Sequence, residues 1–160
     1  MSHKGQADFR SDTVTRPTPA MYEAMARAPL GDDVFGDDPT VNELQDFGAT
    51  LFAKEAALYL PSGTMANQAA VRVHCRSGDE VILEKRSHTY YHEQGGLAAL
   101  HGVQARTLDG DRGRISVEDI EGAIRPENEH YPVTRLCVLE NTHNGSGGSV
   151  LPIDYIRSVQ

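Results

Sequence analysis

The sequence predicts an α/β fold, a three-layer α/β/α sandwich built on a mostly parallel sheet. Two observations predict it. From Glu55 onward, short apolar runs alternate with longer segments of helical periodicity, which is the pattern of parallel strands joined by crossover helices. The run Leu136-Cys137-Val138-Leu139 is apolar without in/out alternation, as expected of a strand covered on both faces.

Residues 1–7 read as a flexible tail. Asp8 to Pro17 mixes small, polar and β-branched residues in an extended lead-in that the prolines at 17 and 19 end. Pro19 suits the first turn of a helix through about Arg27, with Met21, Met25 and Ala28 on one face. Glycines, aspartates and a proline make 31–39 a loop. Thr40 is expected to cap an amphipathic helix in which Val41, Leu44, Phe47 and Leu51 recur at helical spacing, with Glu43 completing a capping box. Residues 8–54 thus form an N-terminal arm with helices, ahead of an α/β domain at 55–160.

In that domain Ala56 to Leu60 is an apolar run ended by Pro61, the first expected strand. Ser62-Gly63-Thr64 then turns into a helix through about Cys75, with Ala66, Ala69, Ala70 and Val73 inward. Val81 to Leu83 is the second strand. Residues 92–100 suit a helix, against which Gly95-Gly96 argue. Gln104 to Leu108 is the third strand, Ser116 caps a helix to Ile124 with Asp119 at the capping-box position, and Leu136 to Leu139 is the fourth strand. The glycine-rich 145–148 is a connector, and Pro152 opens a last helix.

Composition narrows the function. A net charge of −8 with scattered basic residues argues against nucleic acid or an anionic membrane as partner. No apolar run approaches a membrane span, and the start has no apolar signal core. Cys75 and Cys137 form neither a CxxC pair nor a metal quartet, which suits reduced thiols in a cytoplasmic protein.

Parallel sheets bind ligands beyond the carboxyl ends of their strands, which directs attention to 62–64, 86–88 and 141–144. Ser62-Gly63-Thr64 opens a helix, so it is either a phosphate cup or simply a capping serine with a turn glycine. It matches neither GxGxxG nor GxxxxGK[ST]. His88 and His92, four residues apart, invite a metal; Glu93 does not fit HExxH and no third ligand is near, so no metal is expected. Asp32, Asp33, Asp37 and Asp38 lack EF-hand spacing and read as turn and cap residues. His130 and His143, flanking the fourth strand, read as structural or exposed.

Four stretches carry a resemblance: Phe-Arg-Ser-Asp-Thr-Val-Thr-Arg-Pro (9–17), Gly-Asp-Asp-Val-Phe-Gly-Asp-Asp-Pro-Thr-Val (31–41), Leu-Pro-Ser-Gly-Thr-Met-Ala-Asn (60–67) and Leu-Glu-Asn-Thr-His-Asn-Gly (139–145). Together, in order, they resemble the N-terminal half of the L-threonine aldolases, in the aromatic amino acid β-eliminating lyase group of fold-type I pyridoxal-phosphate enzymes. The resemblance implies part of the large cofactor domain, with pyridoxal 5'-phosphate as cofactor. The implied reaction is retro-aldol cleavage of a β-hydroxy-α-amino acid, threonine or allo-threonine, to glycine and acetaldehyde. It implies that Gly63 and Thr64 hold the cofactor phosphate and that His88 lies against the pyridine ring. It further implies that Ser11 orients the substrate carboxylate, that His130 lies near the substrate hydroxyl, and that the protein is a homo-oligomer, a tetramer or dimer. Phe35 stands where the family commonly has tyrosine, and 145–149 is longer than the family's usual turn. The family's Schiff-base lysine lies further along, and Lys4, Lys54 and Lys85 do not match its motif, so these 160 residues alone are expected to be inactive. A β-eliminating lyase of the same fold and a non-catalytic anion-binding fragment are the alternatives.

Overall fold

The computed structural model describes residues 7–9 and 11–160; of the tail expected over 1–7, residues 1–6 lie outside the described residues. The chain divides into two compact units, Met1–Tyr59 and Leu60–Gln160.

The first unit is helical. Helix α1 (Pro19–Arg27) starts at the expected proline, with the Thr18 hydroxyl accepting the Met21 N–H at 3.3 Å. Helix α2 (Pro39–Leu51) corrects the expected cap: Asp38, not Thr40, is the N-cap. Its Oδ1 accepts the N–H groups of Thr40 and Val41 at 3.0 Å each, and its Oδ2 accepts that of Gly31 at 3.2 Å. A carboxylate is favoured over a hydroxyl at the positive end of a helix, and the Thr40 hydroxyl instead donates to the Pro29 carbonyl at 3.0 Å. The hydrogen bonds from Val41, Gly31 and Thr40 hold the Asp38 carboxyl below the usual range.

The strand expected over 56–60 does not form. The Tyr59 N–H donates to the Gln45 side chain at 2.9 Å rather than to a ladder, and Leu58 and Tyr59 are exposed.

The second unit alternates helix and strand: α3 (Gly63–His74), β1 (Glu80–Glu84), α4 (His88–Tyr91), α5 (Gly96–His101), β2 (Gln104–Leu108), α6 (Val117–Ala123), β3 (Thr134–Val138) and α7 (Ile153–Val159). Of the helix expected over 92–100, only the part from Gly96 forms, as α5, after Gln94 and Gly95 take positive φ; α4 precedes the expected range. The strands pair in parallel in the order β2-β1-β3.

Register puts Ala105, Val81 and Leu136 in one row and Thr107, Leu83 and Val138 in the next, on one face of the sheet. Val81 and Leu83 pack there with Val71 and Cys75 at the end of α3, Leu97 of α5, and Val103. On the other face lie Ile82 and Cys137, with Ile115, Ile120, Ala123, Leu151 and Tyr155 buried around α6 and α7. Burial raises the Tyr155 and Cys137 pKa values alike.

Two expectations about faces are corrected. The inward face of α3 is Gln68, Val71 and Cys75, while Ala66, Ala70 and Val73 are exposed. The strand covered on both faces is β1, every residue of which is buried; β3 has a single partner among the described residues and is only partly buried.

At its start β1 buries a charge. Glu80 is fully buried and accepts from Arg125 Nε at 2.9 and 3.1 Å, Gln104 Nε2 at 2.9 Å and Thr134 Oγ1 at 3.3 Å. These bonds tie the beginnings of all three strands to the segment after α6, leaving the opposite edge of the sheet to the loops.

Leu83 is fully buried at the centre of the α3–α5 face. Leu83→Ala is expected to destabilise the protein by about 2–5 kcal/mol, the range for emptying such a position. A chemical denaturation midpoint unchanged from wild type would contradict this packing.

Candidate active site

Three segments meet at the carboxyl end of the sheet: the start of α3, the turn after β1 and the loop after β3. Ser62 is the N-cap of α3, its backbone extended (φ −150°, ψ 151°) and its hydroxyl accepting the Met65 N–H at 3.1 Å. That cap leaves the Gly63 and Thr64 N–H groups, at the positive end of a twelve-residue helix, without an intrahelical acceptor. Both residues are exposed, and the space above Gly63 is open. The capped, open helix start expected at Ser62-Gly63-Thr64 is therefore present, at a coil-to-helix rather than a strand-to-helix junction.

His88 begins α4, directly after the turn that ends β1. Its Nδ1 lies 2.9 Å from Glu93 Oε1, and the Glu93 side chain is fully buried. Glu93 also accepts from Asn67 Nδ2 at 2.7 Å and from Gln68 Nε2 at 2.5 Å, both on α3. Burial alone would raise the Glu93 pKa, but the bonds from Asn67, Gln68 and His88 outweigh it and hold the carboxyl below its usual range. An ionised Glu93 accepts only, so Nδ1 carries the proton on that side and the half-exposed ring presents Nε2 outward. Asn67 lies one helical turn after Gly63, on the same face. The imidazole is thereby tied, through Glu93, to α3 one turn after its open N–H groups. Further in, His101 Nε2 reaches Gln68 Oε1 at 3.0 Å.

Two more carboxylates hold the loops. Glu84, the last residue of β1, accepts from the Arg86 N–H and from His143. Glu140, just after β3, accepts from the His88 and Asn144 N–H groups. Beside His88, a cleft lined by Arg86, Tyr91, His92 and Gly145 opens to solvent, with the His92 ring 5.4 Å from that of His88. Lys85, next to this turn, is ion-paired with Asp109. Among the described residues no three His, Cys, Asp or Glu side chains are grouped to hold a metal.

The structure links His88, through Glu93, to Asn67 on the helix that Gly63 and Thr64 begin. It does not bring His130 to them. His130 lies in the loop before β3, at the opposite end of a parallel sheet, with its N–H on Asn128 Oδ1 at 2.9 Å and its ring largely exposed. Ser11 belongs to the first unit, where its hydroxyl accepts the Thr13 N–H at 3.2 Å and caps a short 3-10 turn, Asp12–Val14. Sequence reasoning weighed Glu93 only against a metal motif and gave no role to Glu84, Glu140, Asn67 or Gln68. Their one visible signal is position: Glu84 and Glu140 close apolar strands at the ligand-binding edge.

A model of the beta-eliminating lyase family matches residues 8–160. The chain is 49% identical over 151 residues to the low specificity L-threonine aldolase of Escherichia coli K12, covering 94% of this chain and 44% of that protein. It is 48% identical over 156 residues to low-specificity L-threonine aldolase 1 of Arabidopsis thaliana, again covering 44% of the relative. The chain thus spans less than half the length of these relatives. The Leishmania major threonine aldolase structure superposes with a TM-score of 0.73 at 25% identity, over 85% of this chain and 41% of that one.

Because folded Glu93 stays charged below its ordinary pKa of 4.5, its contribution to stability is fully present above that value. It is lost as pH falls through the depressed folded pKa. The stability difference between wild type and Glu93→Gln, read by denaturant titration across pH, is expected to be largest near neutrality and to close on acidification below 4.5. A difference independent of pH would place the wild-type proton elsewhere.

Proposed function

The chain belongs to the beta-eliminating lyase family, and from that premise we propose that it forms the cofactor-holding part of a pyridoxal-phosphate-dependent aldolase. The reaction proposed is cleavage of threonine or allo-threonine to glycine and acetaldehyde. The single observation that carries the reading is that an imidazole anchored on a buried carboxylate is tied through it to a helix whose start is open, in a chain matched by that family over residues 8–160.

The residues present fit the cofactor. A phosphate needs donors and positive potential, and the start of α3 offers both through the Gly63 and Thr64 N–H groups and the Thr64 hydroxyl. A flat pyridine ring needs a surface that does not turn, and the His88–Glu93 bond fixes the imidazole plane. When bound, pyridoxal phosphate supplies an electron sink for the carbanion left as the Cα–Cβ bond breaks.

The chain's own residues have distinct roles in this reading. Gly63 and Thr64 bind the phosphate and set the depth of the ring. His88 packs against the ring, and Glu93, with Asn67 and Gln68, keeps His88 from rotating. Ser11 orients the substrate carboxylate, and His130 serves the substrate hydroxyl. Those last two roles rest on the family resemblance alone, and the geometry of the His88 cluster does not include either residue. We also propose a homo-oligomer working in the cytoplasm. Support comes from the apolar side chains left exposed on α1 and α2, Met21, Met25, Phe47 and Leu51 among them, and from two free cysteines.

The test is product analysis of the full-length protein supplied with pyridoxal phosphate and threonine. Glycine and acetaldehyde in equal amounts are expected; ammonia and a keto acid would assign β-elimination instead. In the same protein, His88→Ala is expected to weaken pyridoxal phosphate binding about tenfold, roughly 1.4 kcal/mol, whereas His130→Ala leaves that affinity near wild type. The reverse ranking in a cofactor titration would overturn the assignment of His88.

A further inference from the structure

We propose that Glu84 and Glu140 form a reciprocal brace between the turn after β1 and the loop after β3, and that both act, with His143, as positioning residues for His88. The proposal rests on the lyase reading above.

Each carboxylate serves its own loop and the opposite one. Glu84 Oε2 accepts the N–H of Arg86, two residues on, at 2.6 Å, and lies 3.0 Å from Nε2 of His143 in the other loop. Glu140 mirrors it: Oε1 accepts the N–H of Asn144, four residues on, at 2.7 Å, and Oε2 accepts the His88 N–H at 2.5 Å. The two loops are separate in sequence, Glu140 lying 52 positions after His88 and His143 lying 59 after Glu84. Either carboxylate alone would tie them at one point and leave a pivot; two ties at different places remove it.

His143 is built into the protein rather than resting on it. Its ring is fully buried, and the backbone passes so close that a Cβ at Gly113 (φ +88°) would lie 2.3 Å from the ring. The slot fits an imidazole whose one polar contact is Glu84. His143 also anchors its own loop, its N–H bonding the Ser149 carbonyl at 2.9 Å and its carbonyl accepting from Gly148 at 3.0 Å.

The donor pattern explains why residue 140 is an acid. Both Glu140 oxygens face backbone N–H groups, and only an ionised carboxylate accepts at both. A glutamine there must turn its NH2 toward one of the two donors. His88 is consequently held at two ends, by Glu140 at its backbone N–H and by Glu93 at its ring nitrogen. Such double support sets the ring plane before a ligand arrives, and misplacement of a positioned group by a fraction of an ångström costs rate without changing the fold.

The experiment compares full-length wild type with Glu140→Gln, His143→Gln and Glu80→Gln. The last is the control, because it disturbs a buried carboxylate network at the opposite end of the sheet. In the cofactor-free proteins, amide hydrogen exchange at His88 and Asn144 is expected to quicken about tenfold or more in Glu140→Gln, the factor that follows from losing a bond of order 1.4 kcal/mol. In the pyridoxal-phosphate-loaded proteins, the circular dichroism of the bound cofactor should change. The kcat for threonine should fall about tenfold with KM moving less than about threefold, the split expected of lost orientation. His143→Gln should move all three readouts the same way, and it carries the test if Glu140→Gln fails to fold. Glu80→Gln should lower the melting temperature and move none of them. Unchanged exchange at His88 in Glu140→Gln would overturn the brace. So would a set in which all three variants lose stability alike while kcat and cofactor dichroism stay as in wild type. If wild type itself releases no glycine and acetaldehyde, the aldolase reading fails, and the exchange and dichroism measurements still decide the brace.

Discussion

Burial of β1 on both faces is the constraint from which the rest of the second unit follows. The strand is only five residues long, Glu80-Val-Ile-Leu-Glu84, and all five are buried, so both of its ends carry a carboxylate into a region water does not reach. A charge in that setting must be met by donors or the fold is lost. At the start, the guanidinium of Arg125 and the side chains of Gln104 and Thr134 answer Glu80, drawing β2 and β3 into register at one edge. At the end, the Arg86 N–H and His143 answer Glu84, drawing two loops together at the other edge. One edge is therefore tied by strands and becomes scaffold; the other is tied by loops and carries the candidate site.

The same logic continues outward from Glu84. The turn it holds delivers His88, His88 meets Glu93, and Glu93 reaches back to Asn67 and Gln68 on α3. The open start of α3 and the imidazole are thus parts of one bonded path and cannot shift independently. This is the arrangement a two-point ligand requires, with an anionic group at one place and a flat ring at another, a fixed distance apart. Parallel topology makes it possible, because every strand ends on the same edge and three different loops can contribute.

Much of this was legible in the sequence, and the remainder was hidden for identifiable reasons. Local chemistry was readable: Pro19 at the first turn of α1, Ser62 and Ser116 as caps, and the three strands that formed all lie within about two residues of where pattern placed them. So was the edge to inspect, since 62–64, 86–88 and 141–144 are the segments that meet or lie beside the site. What depended on a distant partner was not readable. The run 56–60 looked like a strand, but an apolar run is a strand only if a ladder is available, and Tyr59 found a glutamine side chain instead. Thr40 and Asp38 were both acceptable caps, and the outcome turned on the Pro29 carbonyl, which lies in another segment. On α3 the alanines suggested the inner face, yet Gln68 points inward because Glu93, 25 residues along, needs a donor. His143 read as an ordinary histidine because its partner is 59 residues away.

The carboxylates also resolve an electrostatic difficulty. Three glutamates, Glu84, Glu93 and Glu140, stand close to a site proposed to receive a phosphate and an amino acid carboxylate, in a chain already carrying −8. Unanswered, they would repel both ligands. Each is instead occupied by donors: a backbone N–H and an imidazole on Glu84, two backbone N–H groups on Glu140, and an imidazole with two side-chain amides on Glu93. Their charge is taken up inside the structure, as clamps rather than as ligands. What remains facing outward is the other set of groups, the free N–H groups of Gly63 and Thr64, the Thr64 hydroxyl, the outer nitrogen of His88 and the Arg86 side chain at the cleft. An acidic protein can in this way present a locally donor-rich surface to an anion, provided that its acids are buried deeply enough to be satisfied and its donors are left at the rim.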